Sequence, residues 1–358
     1  MSDVSILRAD VERVLADFQD PETGRGIWKL EQVRDLAVGG GRIALTLALT
    51  THAAPLWNET RAELVERLQR EFPAADVQVK LATHERPPER LGEIGLAAKS
   101  VVAVGSGKGG VGKSTIAASL AYGLRRAGCK VGLMDADVYG PSVPHLIGVN
   151  RRPEIVNQKI QPIVVDEVKV MSMGFLVPPG EAVVWRGPML HGAITQFLRD
   201  TDWGELDYLF IDLPPGTGDI ALTLSQLLPL TGAVVVCTPQ DVALIDAVKA
   251  IAMFRKVNIP VLGMVENMSY FVCPNCDKRY DIFGSGGAKR QAAELDVPFL
   301  GEVPINIAMR VNGDEGRVGA SFDDPTCAPF LEGLCYRLVK EISTRHKQAP
   351  PSVPLPIL

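Results

Sequence analysis

Between Gly107 and Ser114 the chain reads Gly-Lys-Gly-Gly-Val-Gly-Lys-Ser. Such a run is a phosphate-binding loop only when it joins a buried strand to a helix. The apolar run Val101-Val102-Ala103-Val104 precedes it and a helical pattern, Ile116 to Arg125, comes after, so the context is met. This single feature commits the chain to a strand–loop–helix unit in a layered α/β architecture. Gly107, Gly109, Gly110 and Gly112 let successive N–H groups turn toward phosphate oxygens, with Lys108 and Val111 between them. The helix N-terminus adds about half a positive charge facing the same anion. Lys113 then falls on the β- and γ-phosphates of a nucleoside triphosphate such as ATP. The Ser114 hydroxyl falls on Mg²⁺, with Thr115 next along the helix.

The chain has 358 residues, a formal net charge of −5 and 46% hydrophobic content, enough for two or three domains with sizeable cores. A net negative charge argues against general nucleic-acid binding. Met1 to Leu15 mixes charged and apolar residues, unlike a secretory leader. No stretch reaches the roughly 20 apolar residues of a membrane span. The expected location is the cytoplasm, where the six cysteines are reduced and cysteine clusters point to metal or redox chemistry.

Residues 1–82 read as a small α+β domain. It has a helix from Val11 to Phe18, an alternating strand from Ile43 to Leu49, a helix from Glu59 to Glu71 and a strand from Val77 to Leu81. Residues 83–99, with Arg86-Pro87-Pro88-Glu89-Arg90, read as a linker. From 100 to 346 the runs Val131–Asp135, Tyr208–Asp212, Ala233–Cys237 and Val261–Val265 are apolar throughout, as strands buried on both faces are. The expected fold is α/β, a doubly wound and mostly parallel sheet. A last helix is expected over Pro329 to His346, and 347–358 is a proline-rich tail.

Two carboxylate groups stand where a phosphate loop needs them. Asp135-Ala136-Asp137 closes the strand after the loop's helix, at the sheet edge where ligands of such folds bind. Asp212 closes another strand and leads into Leu213-Pro214-Pro215-Gly216-Thr217-Gly218-Asp219. An aspartate there can hold Mg²⁺ through water.

Cys273-Pro274-Asn275-Cys276 sets two thiolates three residues apart on an irregular loop, able to face one metal ion or cluster. A structural zinc, a redox dithiol and an iron–sulfur cluster all fit the spacing. Zinc and [4Fe–4S] sites each want four ligands, and a second chain can supply the others. Cys129, Cys237, Cys327 and Cys335 read as packing residues. The five histidines have no metal-ligand spacing. Gly284-Ser285-Gly286-Gly287 lacks the Lys-Ser ending of a phosphate loop and reads as a helix cap.

The doubled lysine, Lys108 with Lys113, resembles the deviant Walker A ATPases. The chain is similar above all to Mrp/ApbC-type iron–sulfur cluster carriers, over residues 100 to about 310. The matching stretches are Asp135 to Ser142, Trp185-Arg186-Gly187-Pro188-Met189, Trp203 to Tyr208, Asp212 to Asp219, Thr238 to Leu244, and Glu266-Asn267-Met268-Ser269-Tyr270.

The resemblance implies a homodimeric, Mg²⁺-dependent ATPase in which Lys108 reaches the partner's phosphates. It also implies that Asp137 positions the attacking water, that Asp135 lies nearer Mg²⁺, and that Asn267 bonds the adenine. Cys273 and Cys276 of two chains would hold one bridging [4Fe–4S] cluster for apo iron–sulfur client proteins, with cluster-assembly proteins as further partners. Neither nucleic acid nor membrane is implied.

The N-terminal domain resembles an iron–sulfur-assembly accessory domain through Asp20-Pro21-Glu22 and Thr50-Thr51, with Ala54-Pro55 where that family commonly has a cysteine before proline. Two competing readings are a division-site-type (MinD- or ParA-like) positioning ATPase, which needs a membrane-binding helix or a DNA-binding surface, and a zinc-bridged scaffold ATPase.

Overall fold

A computed structural model describes residues 6–138, 140–176, 187–216 and 218–348. Tyr139, Trp185-Arg186, Thr217 and the proline-rich segment from 349 onward lie outside the described residues. The described chain divides into two units: residues up to Arg86 together with those from Val339, and Pro87–Leu338.

In the first unit, α1 (Arg8–Ala16) precedes β1 (Val33–Gly39) and β2 (Arg42–Leu49), followed by α2 (Trp57–Glu71) and β3 (Asp76–Thr83). β1 and β2 are antiparallel while β2 and β3 run parallel. The alternation in β2 buries Ile43, Leu45, Leu47 and Leu49 against Val11 and Leu15 of α1 and Leu64 and Leu68 of α2. Apolar periods of two and of three to four meet on one core, as an α+β unit requires. β1 is not predicted by the sequence pattern, and its burial lacks clean alternation. Asp20 is fully buried and accepts from Gln32 Nε2 at 2.9 Å. Glu22 is paired with Arg86 at 2.6 Å and accepts from the Thr50 hydroxyl. Both carboxylates are therefore spent on bracing turns.

The second unit opens with the short β4 (Arg90–Leu91) and then β5 (Leu96–Gly105), α3 (Lys113–Arg126), β6 (Val131–Asp135) and α4 (Val143–Leu146). A small hairpin, β7 (Ile155–Val156) and β8 (Lys159–Ile160), leads to β9 (Ile163–Val165) and β10 (Val168–Ser172). Then come α5 (Gly187–Asp200), β11 (Leu206–Asp212), α6 (Gly218–Leu227), β12 (Gly232–Cys237), α7 (Asp241–Lys256) and β13 (Val261–Val272). The remainder is β14 (Arg279–Tyr280), α8 (Gly287–Glu294), β15 (Phe299–Ile305), α9 (Ile307–Asp314) and α10 (Ala328–Gln348).

The sheet runs β14-β13-β12-β5-β11-β6-β10-β9, with β15 paired to β13 and β4 to β5. β10, β6, β11, β5, β12, β13 and β15 are mutually parallel, and the antiparallel pairs lie at β9, β14 and β4. Val101, Ala103, Leu209 and Ile211 face a core shared with Phe197 of α5, Ile220 of α6 and Ile251 of α7. Val102, Val104, Tyr208 and Phe210, at the alternate positions, are also fully buried, and α3 packs on β6 and β11. Burial on both faces explains why these strands read as unbroken apolar runs.

Three expectations change. The segment 83–99 is not a plain linker: it holds β4 and the start of β5, whose backbone pairs Arg90 with Ala97 and Leu91 with Leu96. The last helix extends through Gln348, so residues 347 and 348 are helical rather than part of a tail, and its residues from Val339 group with the first unit. Strand β13 does not stop near Val265 but continues to Val272, because its polar residues find partners beyond the strand, at Val111, Gly286, Ala288 and Glu302.

Candidate nucleotide and metal sites

β5 ends at Gly105 and α3 begins at Lys113, so the motif occupies the turn between them. Gly112 caps α3 at φ +78°, and a Cβ there would lie 2.2 Å from Asn267 Nδ2. A Cβ on Gly107 would lie 2.1 Å from the Asp246 carbonyl oxygen. Glycine is demanded at these places by backbone sign and by space. α3 starts without a side-chain cap, as suits a helix end that offers its N–H groups to an anion. A cavity of about 220 Å³ opens there, walled by Lys108, Lys113, Ser114, Thr115, Asp137 and the glycines Gly109, Gly110 and Gly112.

The parallel register brings the carboxylates together. Asp212 is level with Asp135 on the adjacent strand, and Asp135 is level with Ser172 on the next. Lys113 Nζ lies 2.5 Å from Asp212 Oδ1, 3.7 Å from Asp137 Oδ2 and 3.1 Å from Ser114 Oγ. Asp212 is fully buried, and its Oδ2 has no hydrogen-bond partner among the described residues. Burial pushes its carboxyl above the usual range, while the Lys113 ammonium and the nearby Ser114 hydroxyl pull the other way.

Asp135 does not line the cavity. It is fully buried behind Asp137, accepting from the Ser172 hydroxyl at 2.9 Å and from the backbone N–H groups of Asp137 and Val143 at 3.1 and 3.3 Å. Burial, then the Asp212 charge, pushes Asp135 up to about 7. The two aspartates thus differ: Asp137 faces the cavity, and Asp135 braces the segment that carries it. Ser172 was not legible as a site residue, since nothing local in Met171-Ser172-Met173 marks it.

A hydroxyl, buried carboxylates and a glycine cradle make a set of hard oxygen donors beside inward-facing N–H groups. That set fits Mg²⁺ and a phosphate chain.

Asn267 is 5% exposed and its Nδ2 donates to the Val111 carbonyl at 2.9 Å. It stands on strand β13, not on a loop, with its amide held by the glycine loop itself. Its neighbour Glu266, fully buried, accepts from Gly286 and Ala288 N–H at 2.8 and 2.7 Å and from Ser269 Oγ at 2.5 Å. The Gly284–Gly287 segment is accordingly a helix cap, with Gly286 at φ +71°.

Cys273 and Cys276 form the tip of a hairpin in which β14 pairs back on Phe271 and Val272. Cys273 N–H donates to the Lys278 carbonyl at 3.0 Å, and Asp277 N–H to the Cys273 carbonyl at 2.9 Å. Cys276 is exposed and Cys273 half-buried. The Asn275 N–H, and then Cys276, hold the Cys273 thiol below its ordinary range. Cys129, Cys237, Cys327 and Cys335 are buried, and burial pushes Cys237 and Cys335 up to about 12. Among the described residues no group of three or more His, Cys, Asp or Glu is arranged to hold a metal ion, so the pair supplies two ligands by itself.

Comparisons with known proteins identify the family. Residues 8–81 match the iron-sulfur cluster assembly protein family. The chain is 45% identical over 349 residues to an iron-sulfur cluster carrier protein of Deinococcus radiodurans, covering 97% of this chain and 98% of that one. It is similar to a nucleotide-binding protein from Archaeoglobus fulgidus, solved in complex with ADP and with Co. That likeness has a TM-score of 0.57 and 42% identity, over 65% of this chain and 92% of that chain. The cell division ATPase MinD of Pyrococcus furiosus, 22% identical at a TM-score of 0.50 over 69% of this chain and 99% of that one, shares the fold. The NUBPL iron-transfer P-loop NTPase family matches residues 97–334, and with that match over the glycine loop, the carboxylate strands and the cysteine hairpin, the chain belongs to this family.

Proposed function

We propose that this chain is a Mg²⁺-dependent ATPase that carries a [4Fe–4S] cluster between two copies of itself and passes it to apo iron–sulfur proteins. The observation that carries the reading is the pairing, in one unit, of the Lys113–Asp212–Asp137 cradle with an exposed two-thiol hairpin. Family membership supports it, as does the name of the Deinococcus relative.

In this reading Lys113 exchanges its carboxylate partners for the β- and γ-phosphate oxygens. Ser114 and Asp212 orient Mg²⁺, which when bound neutralises charge on the phosphates. Asp137, at the cavity wall, orients the attacking water, and Asp135 acts through it as a positioning residue. Lys108, half-buried at the cavity rim, serves the partner copy's nucleotide, so hydrolysis depends on dimer closure. The glycine loop binds the phosphates in place of solvent.

Two thiolates per chain and four ligands per cluster give one cluster per dimer. An exposed hairpin lets a client thiolate replace Cys276 by ligand exchange. The N-terminal unit, with Ala54 in place of a thiol, docks partners rather than ligating the cluster. No helix among the described residues is long and apolar enough to cross a membrane, which accords with a cytoplasmic site of action.

The test is anaerobic reconstitution with iron and sulfide, followed by metal, sulfide and mass analysis. About two irons and two sulfides per chain in a dimer support the bridge. Four irons on a monomer, or tight zinc without cluster uptake, refute it.

A further inference from the structure

The glycine loop and the cysteine hairpin stand at the two ends of one stretch of β13. Asn267 Nδ2 donates to the Val111 carbonyl at 2.9 Å, and any Cβ at Gly112 would lie 2.2 Å from the same amide. The strand ends at Val272, and Cys273 directly after it is six residues from Asn267, a span of at most about 20 Å at ordinary strand rise.

The residues between are tied on several sides. Ser269 Oγ donates to Glu266 at 2.5 Å and lies 3.3 Å from Glu302 on β15. The Arg279 guanidinium covers the Tyr270 ring at 3.8 Å. Phe271 and Val272 pair with Tyr280 and Arg279.

One position breaks the regular strand. Met268 has φ +55°, in the left-handed region, and the register against β15 shifts between Asn267 and Phe271. A bulky residue with that sign of φ is held there at a cost by its surroundings. A bulge of this kind re-aims the side chains that come after it in the strand.

We propose that Asn267 is a positioning residue that couples occupancy of the glycine loop to the geometry of the Cys273–Cys276 hairpin, through the bulge at Met268. This rests on the reading of the loop as a nucleotide site and of the thiols as cluster ligands.

The Asn267 amide that bonds the Val111 carbonyl is a side-chain restraint on the loop from β13. Phosphates seated on the loop's N–H groups load the same backbone that Asn267 holds at the Val111 carbonyl, and any shift of that peptide is passed to Asn267. Such a shift acts on β13 at Asn267, six residues before Cys273, which directly follows the strand's last residue, Val272. Coupling of this sort is reciprocal: whatever the thiols bind alters nucleotide affinity by the same factor. A chain of contacts alone does not establish coupling, so the test reads the coupling itself.

The full chain, free of metal, is treated with iodoacetamide under anaerobic conditions. Alkylation of Cys273 and Cys276 is followed by mass spectrometry with and without saturating Mg-ADP or a non-hydrolysable ATP analogue. In the wild type the nucleotide changes the rate by about fivefold, the lower end of common coupling free energies. In Asn267→Ala, at nucleotide concentrations shown by calorimetry to saturate it, the change falls below about 1.5-fold. A full response in that variant overturns the proposal, as does an unresponsive wild type with nucleotide bound.

If Asn267→Ala binds no nucleotide, Ser269→Ala decides. Its hydroxyl touches neither loop nor thiols, and at least half of the response is expected to be lost. An undiminished response in Ser269→Ala then overturns the coupling. A wild type that binds no nucleotide sinks the loop reading and the coupling together. Iron uptake is measured separately, and its failure removes the cargo while leaving the thiol response to judge the coupling.

Discussion

Lys113→Ala deletes the ammonium that lies 2.5 Å from Asp212 and 3.7 Å from Asp137. Asp212 is fully buried and Lys113 is 7% exposed, so solvent cannot replace the lost partner. Removing one member of a buried pair costs about 3–5 kcal/mol, most of it the burden of the charge left behind. The stranded carboxylate takes up a proton instead of staying charged, which holds the loss toward the lower figure, about 3 kcal/mol near neutral pH. For a unit of this size that corresponds to a fall of roughly 6–12 °C in midpoint temperature.

The pH dependence comes from the sign of the shift. Without Lys113 the folded-state pKa of Asp212 rises still further above its ordinary value of 3.8. Between those two values the folded chain holds a proton that the unfolded chain releases, so stability falls as pH rises through the window. The deficit relative to wild type is therefore largest near pH 7.5 and shrinks toward pH 5. Trp203, 2% exposed in the same unit, reports the transition by fluorescence in thermal or urea unfolding at both pH values. A variant within about 1 kcal/mol of wild type at pH 7.5, or a deficit that grows on acidification, refutes the buried-pair account. The same variant is expected to lose tight ADP binding, read by calorimetry.

Lys108→Ala should lower kcat by about 10–100-fold with KM changed less than about threefold, because its phosphate contact is made on a partner copy in the transition state; steady-state ATPase assays check this, and equal losses of affinity and turnover refute it. Asp135 is raised to about 7 from 3.8, so its contribution makes stability fall as pH rises from about 4 to about 7, by at most about 1.4 kcal/mol per pH unit. The wild-type minus Asp135→Asn difference in unfolding free energy should carry that slope, and a flat difference refutes it. At pH 7, iodoacetamide should label Cys273 and Cys276 at least about a hundredfold faster than Cys237 and Cys335, whose buried thiols hold almost no thiolate; comparable labelling of Cys335, read by peptide mass, counts against the burial argument.

The sequence by itself determined the features whose physics is local. The glycine loop is legible because left-handed backbone and close approach demand glycine at fixed spacing, and Gly112 shows both. Strands β6, β11 and β12 are legible because burial on both faces leaves long apolar runs, up to the terminal aspartate in β6, from Tyr208 to Ile211 before Asp212 in β11, and through Cys237 in β12. The cysteine pair is legible by spacing alone.

What only the tertiary structure decided is how residues far apart satisfy one another. Asp135 owes its brace to Ser172, 37 residues on, because parallel pairing sets the ends of β6 and β10 level. Glu266, Asn267 and Ser269 look like loop by composition. They lie in a strand because partners take up their polar atoms: for Asn267 the Val111 carbonyl 156 residues upstream, for Glu266 the Gly286 and Ala288 N–H groups about 20 downstream, and for Ser269 the carboxylates of Glu266 and Glu302. Composition records only a residue's own preference, while burying a polar side chain depends on the partner that packing brings to it, and that is how a strand came to join the glycine loop to the thiols.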